Sequence, residues 1–226
     1  MKSLINNKKI LIFIKKNYSL HKKVIKKLKK NYQLEIIDSG QNKIPKYIYK
    51  KKFDYIFSLY THIILKKKIL RNSKLAINFH TALPKYPGSS GVNFALFNND
   101  KFHGITVHHM NEKIDSGKII YVHKFKINKR DNVKTLINKT LINQYKVFFK
   151  ILKLINNNNI FLNKNLIWRR IIFTKKKLNR LQILKFPIKK QKLKNIIRST
   201  YYNNFKPIIS LDKKMYELVE IENKRS

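Results

Sequence analysis

The chain has 226 residues, of which 43% are hydrophobic and 12% aromatic, enough for one medium domain with or without a small appendage. It contains no cysteine, which excludes disulfides, thiolate metal sites and thiol nucleophiles. The 52 Lys and Arg residues against 11 Asp and Glu give a formal net charge of +41, a field that attracts RNA, nucleotides and anionic membranes.

The first half of the chain predicts strands separated by helical segments. Apolar runs predict strands at residues 9–14, 34–37, 53–59 and 74–80. Residues 20–28 predict a helix with one apolar face, formed by Leu20, Val24, Ile25 and Leu28. Strands that alternate with helices favour an α/β fold with a parallel sheet and crossover connections.

A loop rich in Pro and Gly at residues 84–91 opens the second half. It is followed by a predicted helix at 92–97, strands at 104–110 and 118–125, and the longest helix at 132–154. Seven apolar residues at helical spacing form the inner face of that helix: Val133, Leu136, Ile137, Leu141, Tyr145, Phe148 and Leu152. The rest is a Lys-rich tail, so we expect a core at 1–158 and a small C-terminal capping region at 159–226.

The charge has a second interpretation. The lysines are spread over the whole chain together with an excess of Ile and Asn, a pattern typical of a genome biased toward AT-rich codons. Lysines also interrupt every apolar run short of the ~20 residues that a membrane span needs. The first residues lack the pattern of a signal peptide. We therefore expect a cytoplasmic protein without a membrane span, whose partner the charge alone does not identify.

Three polar residues are candidates for catalysis. Asn78 and His80 end a predicted strand and open into a loop, and strand alternation places both side chains on one face. Asp115 lies in a polar turn between two predicted strands. Each residue alone also fits a structural role: Asn78 as a loop cap, His80 in a local hydrogen bond and Asp115 in ordinary turn chemistry.

Two stretches, residues 78–108 and 110–120, resemble the folate-dependent formyltransferase family, which includes methionyl-tRNA, glycinamide ribonucleotide and sugar N-formyltransferases. The resemblance implies a Rossmann-like core with a mostly parallel sheet and helices on both faces, plus a small C-terminal appendage. It also implies Asn78, His80 and Asp115 as the catalytic set, and 10-formyltetrahydrofolate as co-substrate. The residues that it implies for binding the folate are His62, Ile63, Ile64, Leu83, Pro84 and Ile114. Ile63 and Ile64 fit the core equally well.

The loop after the predicted fourth strand departs from the family pattern. The family usually reads His-x-Ser-Leu-Leu-Pro there, whereas here Pro84 follows His80 one position sooner. This loop and the tail resemble the short family members that act on bacterial surface sugars. The acceptor is therefore expected to be a small-molecule amine, most simply a nucleotide-linked amino sugar. Trp168, Arg169 and Tyr86 are the predicted acceptor-binding residues, although such a Trp also suits the core.

Formyl transfer to an amine passes through a tetrahedral carbon that bears an oxyanion. Asn78 and His80 would donate hydrogen bonds to that oxygen, and Asp115 would raise the pKa of His80 and help to relay protons. No metal is expected, because the remaining histidines, His103, His108, His109 and His123, lack carboxylates at metal-ligand spacing and are interpreted as strand residues.

Two alternatives remain open. Methionyl-tRNA formylation would use the basic tail to bind RNA, although the tail is short for that family member. A basic RNA-binding protein that retains a degenerate formyltransferase motif would bind RNA tightly and bind no folate. A homodimer is a further expectation. The sequence leaves open whether the tail completes the acceptor pocket or mediates subunit contacts.

Overall fold

A computed structural model describes residues 7–41, 43–159, 165–203, 205–212 and 214–219. Residues 1–6, for which the sequence predicted no signal peptide, lie outside these ranges, as do residues 160–164 and 220–226 of the predicted tail. Six strands form the central sheet: β1 (Lys9–Ile14), β2 (Gln33–Asp38), β3 (Phe53–Leu59), β4 (Ser73–His80), β5 (Phe102–His109) and β6 (Ile119–Lys126). The six helices of the described part are α1 (Ser19–Lys29), α2 (Lys67–Leu70), α3 (Gly91–Phe97), α4 (Val133–Asn156), α5 (Lys175–Gln182) and α6 (Lys190–Thr200).

The central sheet has the order β2-β1-β3-β4-β5-β6. The first four of these strands pair in parallel, whereas β5 runs antiparallel to both β4 and β6. The predicted mostly parallel α/β sheet is therefore confirmed. Strand β5 pairs with the carboxyl end of β4 in a register that places His108 opposite Asn78.

Strand β1 is buried on both faces, which explains why its sequence is a continuous apolar run and does not alternate. Ile10 and Ile12 pack with residues of α1 and α4 on one face. Leu11 and Phe13 pack on the other face, against a short 3-10 helix (Lys46–Lys50) and α2. Helices therefore cover both faces of the sheet, as the sequence predicted.

Helix α4 matches the longest predicted helix within two residues at its C-terminal end. Its first turn is fixed by a capping box, in which the side chains of Asn132 and Thr135 each accept from the other residue's backbone N–H. Leu136 and Phe148 lie in the core as predicted, whereas Ile137 and Tyr145 of the predicted inner face are half-buried.

The C-terminal part packs against the core through α6, which lies on α3. Asn93 of α3 donates its side-chain amide to the Ser199 carbonyl at 2.7 Å. The Arg198 guanidinium donates to the backbone carbonyls of Asp131 at 2.7 Å and Asn128 at 2.9 Å, and to the Asn99 side chain at 3.3 Å. A small sheet lies beyond, with the strands β7 (Ile183–Leu184), β8 (Ile208–Leu211) and β9 (Lys214–Glu217). A domain boundary near residue 158 stays a prediction.

No described helix combines the length and the apolar content that crossing a bilayer would require.

Strand β5 contains a fully buried imidazole, that of His103. Burial lowers its pKa to about 3, and the nearby His80 acts in the same direction, while the Thr81 backbone opposes the shift. Burial also lowers the pKa values of His21, His62, His80 and His109. The folded chain therefore favours the uncharged form of these five imidazoles.

We expect Arg198→Ala to lower the free energy of unfolding by about 2 kcal/mol, because it removes a cationic donor from the backbone carbonyls of Asp131 and Asn128. Urea unfolding measures the change. Lys194→Ala is the matched control, since Lys194 lies one turn earlier on α6 and is exposed. Equal stability of the two variants would contradict the proposed contribution of Arg198 to the docking of α6.

We expect the protein to lose stability as the pH falls below about 6.5, the pKa of an imidazole in the unfolded chain. The sign follows because the pKa of folded His103 is depressed, so that the unfolded chain binds the proton first. His103→Leu should make the free energy of unfolding depend less steeply on pH. The loss is up to about 1.4 kcal/mol per pH unit, which corresponds to the uptake of one proton on unfolding. Urea unfolding at pH 5 and pH 7.5 tests this, and an unchanged slope in the variant would refute it.

Candidate active site

Asn78 and His80 are among the last three residues of β4, at the carboxyl edge of the sheet. Between them Phe79 points into the core, where its ring packs against Phe57 and Phe148. Alternation along the strand therefore turns Asn78 and His80 to the same face, as predicted. That face opens into the loop that leads to α3.

Asp115 is turned inward by its own backbone. It has a φ of +38°, in the left-handed region, within the turn between β5 and β6. The Ser116 hydroxyl closes this turn by donating to the Asn111 side chain at 2.8 Å. Gly117 has no room for a side chain, because a Cβ atom there would lie 1.7 Å from the His109 carbonyl oxygen. The turn thus packs tightly on the end of β5 and buries the carboxylate.

The three predicted catalytic side chains meet around this carboxylate. Asp115 Oδ2 lies 3.2 Å from His80 Nδ1. Asp115 Oδ1 accepts from the Asn78 amide nitrogen at 3.3 Å. Gly88 in the loop adds its backbone N–H, which donates to Asp115 Oδ2 at 2.6 Å. An amide, an imidazole and a carboxylate from distant parts of the chain therefore share one site.

His108 belongs to the same cluster, although the sequence predicted only a strand residue. Its Nε2 lies 3.1 Å from the Asn78 amide nitrogen and 3.2 Å from Asp115 Oδ1. Its Nδ1–H donates to the His109 carbonyl at 2.8 Å. The signal that identifies His108 is the antiparallel register of β4 and β5, which a single sequence does not encode locally.

The carboxylate is ionised at neutral pH despite its burial. Burial raises the pKa of Asp115, but His80, His108 and the Gly88 N–H together outweigh burial, and the pKa falls to about 2. Burial lowers the pKa of His80, while Asp115 opposes that shift. His80 Nε2–H donates to the Tyr86 carbonyl at 2.9 Å, so its Nδ1 faces the carboxylate.

A segment of the C-terminal part, residues 168–173, lies along the loop that carries Gly88, and we call it the strap. The Phe173 N–H donates to the Pro87 carbonyl, and the Ser89 N–H donates to the Phe173 carbonyl, both at 2.8 Å. The Arg169 N–H donates to the Pro84 carbonyl at 3.0 Å. The strap therefore fixes the backbone that supplies a donor to Asp115.

Trp168 covers the two imidazoles. Its ring lies edge-on to His108 at 4.9 Å between centroids and to His80 at 5.5 Å. Its Nε1–H donates to the Gly117 carbonyl at 2.8 Å. Trp168, a predicted acceptor-binding residue, thus contacts both imidazoles and the turn that contains Asp115.

The other two predicted acceptor-binding residues, Tyr86 and Arg169, have different surroundings from each other. The Tyr86 ring is 1% exposed, and its hydroxyl donates to Asp100 at 2.7 Å. Tyr86 therefore reaches the site through its carbonyl, because the side chain is part of the core. Arg169 is exposed, and its guanidinium lies 5.9 Å from the centre of the Phe173 ring.

A cavity of about 240 Å³ opens beside the cluster. Four of the six predicted folate-binding residues line it: His62, Ile63, Ile64 and Ile114. The other two lie elsewhere, because Leu83 is buried against Gly104 of β5 and Pro84 pairs with the strap.

A second cavity, of about 100 Å³, lies next to the first. Its walls include Tyr60, Ser90 and Asn93. Asn78 and His80 line both cavities. The catalytic candidates therefore lie where two bound molecules would meet.

This fold and site define the class: an α/β protein with an amide, an imidazole and a carboxylate at the junction of two cavities, suited to moving a group between two ligands. Residues 32–152 match the family described as formyl transferase. The chain belongs to the formyl transferase family.

Two relatives are similar over about half of the chain. A bifunctional polymyxin resistance protein, ArnA, of Wigglesworthia glossinidia brevipalpis is 40% identical over 116 residues, which are 50% of this chain and 18% of that protein. A methionyl-tRNA formyltransferase of the same organism is 37% identical over 110 residues, which are 48% of this chain and 33% of that enzyme. The chain thus matches a third or less of the length of these two relatives.

The fold is similar to that of an N-formyltransferase from Helicobacter canadensis, whose crystal structure is a complex with folinic acid and dTDP-3-aminofucose. The TM-score is 0.73 at 23% sequence identity, over 90% of this chain and 84% of that one. At this identity the similarity demonstrates the fold, and it extends over the C-terminal part as well as the core.

We expect Gly88→Ala to destabilise the protein by about 1–3 kcal/mol, the range for strained backbone. Gly88 has a φ of +98°, and a Cβ atom there would lie 2.1 Å from the Phe173 carbonyl oxygen. The substitution should therefore separate the loop from the strap. Gly40→Ala is the control, since its nearest contact is a side-chain oxygen at 3.3 Å. The prediction fails if urea unfolding gives both variants the same stability.

Proposed function

We propose that this protein transfers a formyl group from 10-formyltetrahydrofolate to a primary amine. The observation that carries the proposal is the position of Asn78 and His80, which line both cavities, while Asp115 contacts both side chains and lines the larger cavity. Membership of the formyl transferase family supports the same chemistry.

The larger cavity suits the folate donor. Its wall combines the segment His62 to Leu65, which follows β3, with Met110 and Ile114 near the end of β5. Apolar side chains and strand-end backbone together offer a slot for a flat heterocycle that also needs hydrogen bonds. The folinic acid in the Helicobacter canadensis complex supports a donor of this kind.

In the proposed reaction, the amine attacks the formyl carbon and the carbonyl oxygen becomes an oxyanion. Asn78 donates to that oxygen by exchanging its longer contact, the 3.3 Å bond to Asp115. The C–N bond to the folate then breaks, and the new C–N bond to the acceptor remains. The proton lost by the amine ends on the folate nitrogen that leaves.

His80 and Asp115 form the proton-transfer pair. The Nε2–H of His80 is already bound to the Tyr86 carbonyl, so the free lone pair lies on Nδ1, which faces Asp115. A lone pair beside a carboxylate is a good proton acceptor, because the imidazolium that forms is stabilised by Asp115 Oδ2 on one side and the Tyr86 carbonyl on the other. This favours proton transfer over oxyanion donation as the role of His80.

The acceptor in this proposal is an amino sugar linked to a nucleotide. The smaller cavity presents hydroxyl, amide and aromatic groups, which suit a sugar. Burial, then the charges of Lys15 and Lys175, lower the pKa of His62, which lines both cavities. Lys15 and Lys175 therefore lie within electrostatic range of His62, and Lys175 itself lines the larger cavity, so a diphosphate at the junction of the two cavities would meet cations. The dTDP-3-aminofucose in the Helicobacter canadensis complex supports the same class.

Methionyl-tRNA is the second candidate acceptor. The similarity to a methionyl-tRNA formyltransferase and the formal net charge of +41 favour it. The residues from 175 to 200, which form α5 and α6, contain basic side chains and no acidic ones. Such a surface would attract a phosphate backbone, with binding that weakens steeply as salt increases.

We expect folinic acid to bind in isothermal titration, and formyl transfer to occur with nucleotide-linked amino sugars from a panel that also contains initiator methionyl-tRNA. Asn78→Ala should lower kcat by about 100-fold or more, as loss of an oxyanion donor does in comparable sites. Asp115→Asn should also be severely impaired, because it removes the charge beside His80.

Glu112→Gln is the control, because Glu112 lies three residues before Asp115 in the same exposed turn and should be dispensable. Absence of folinic acid binding would refute the proposal that a formyl folate is the donor. Activity on tRNA alone would refute the amino sugar and support methionyl-tRNA as the acceptor.

A further inference from the structure

We infer that His108 is a positioning residue for formyl transfer, which holds the Asn78 amide in its working orientation beside Asp115. The inference rests on the proposed function. The sequence gives His108 no special place, since it is one of several histidines in β5 and β6.

The tautomer of His108 follows from its contacts. Nδ1 faces the His109 carbonyl at 2.8 Å, and a carbonyl only accepts, so Nδ1 carries the proton. Nε2 then presents a lone pair, which accepts from the Asn78 amide nitrogen at 3.1 Å. This contact is shorter than the 3.3 Å contact between Asn78 and Asp115.

The lone pair on Nε2 determines which end of the Asn78 amide turns toward it. An amide can rotate by 180° and exchange its oxygen for its nitrogen, but only the nitrogen can donate to Nε2. With one N–H held by His108, the second N–H points toward Asp115 and remains exchangeable for the oxyanion. Without His108, both amide orientations would compete.

The surroundings of His108 keep the ring in place. The side chain is 4% exposed, and the edge of Trp168 lies against it. A Cβ atom at Gly117 would lie 3.3 Å from His108 Nδ1, so the turn leaves little space for the ring to move. A ring that only filled space would not need both nitrogens hydrogen-bonded, and here both are.

The variants separate the acceptor atom from the volume of the ring. His108→Phe keeps an aromatic ring beside Trp168 and removes the acceptor, whereas His108→Gln offers a side-chain oxygen close to the position of Nε2. His109→Phe is the matched control, because its side chain points to the opposite face of β5 and its carbonyl is unchanged.

We expect kcat for formyl transfer to fall on the order of 100-fold in His108→Phe, since misorientation of one catalytic group has effects of that size. KM for the folate should change less than about threefold, because the lost contact matters in the transition state. His108→Gln should recover most of the activity, and His109→Phe should match the original protein. Thermal unfolding of each variant identifies losses that come from the fold.

Nitrogen-15 NMR of the histidine side chains supplies a measurement that does not need turnover. The expected signature is a His108 ring protonated on Nδ1, assigned by its loss in His108→Phe. An Nε2-protonated ring, or a His108→Phe variant with unchanged kcat, would overturn the inference. Absence of formyl transfer by the original protein, together with the expected tautomer, would instead refute the proposed function.

Discussion

The buried negative charge of Asp115 is the constraint on which the site depends. Its side chain is 7% exposed, and an ion removed from water to that extent costs several kcal/mol unless hydrogen bonds and opposite charges replace its hydration. Three separate parts of the chain surround the carboxylate: the end of β4, the end of β5 and the loop at Gly88. Misplacement of any one part would remove some of the groups that compensate the buried charge, so the charge couples the accuracy of the fold to the chemistry.

Much of the core could be predicted from the sequence because the signals are local. β1 and β3 are buried, so their apolar runs are unambiguous, and α4 combines helical spacing with a cap at Asn132. The convergence of Asn78, His80 and Asp115 was also predicted, but from resemblance to a family. Alternation alone explains the Asn78 and His80 pair, and it does not explain why Asp115 meets them.

The remaining features depend on contacts between distant residues. His108 enters the site because β5 is antiparallel to β4 with one particular register. Tyr86 and Trp168 were predicted to face the acceptor, yet Tyr86 points into the core and Trp168 covers the imidazoles. The sequence pattern does not contain these side-chain directions. The small second sheet was not predicted either, because its strands have two to four residues and are surrounded by lysines.

The strap lies outside residues 32–152, the part that defines the family. The groups proposed to break and form bonds, Asn78, His80 and Asp115, lie within that part, whereas the backbone that braces their loop comes from a later stretch. The strap that covers the site can therefore vary independently of the part of the chain that carries the proposed catalytic residues. A lineage can replace the cover, and with it part of the wall of the larger cavity, without altering Asn78, His80 or Asp115.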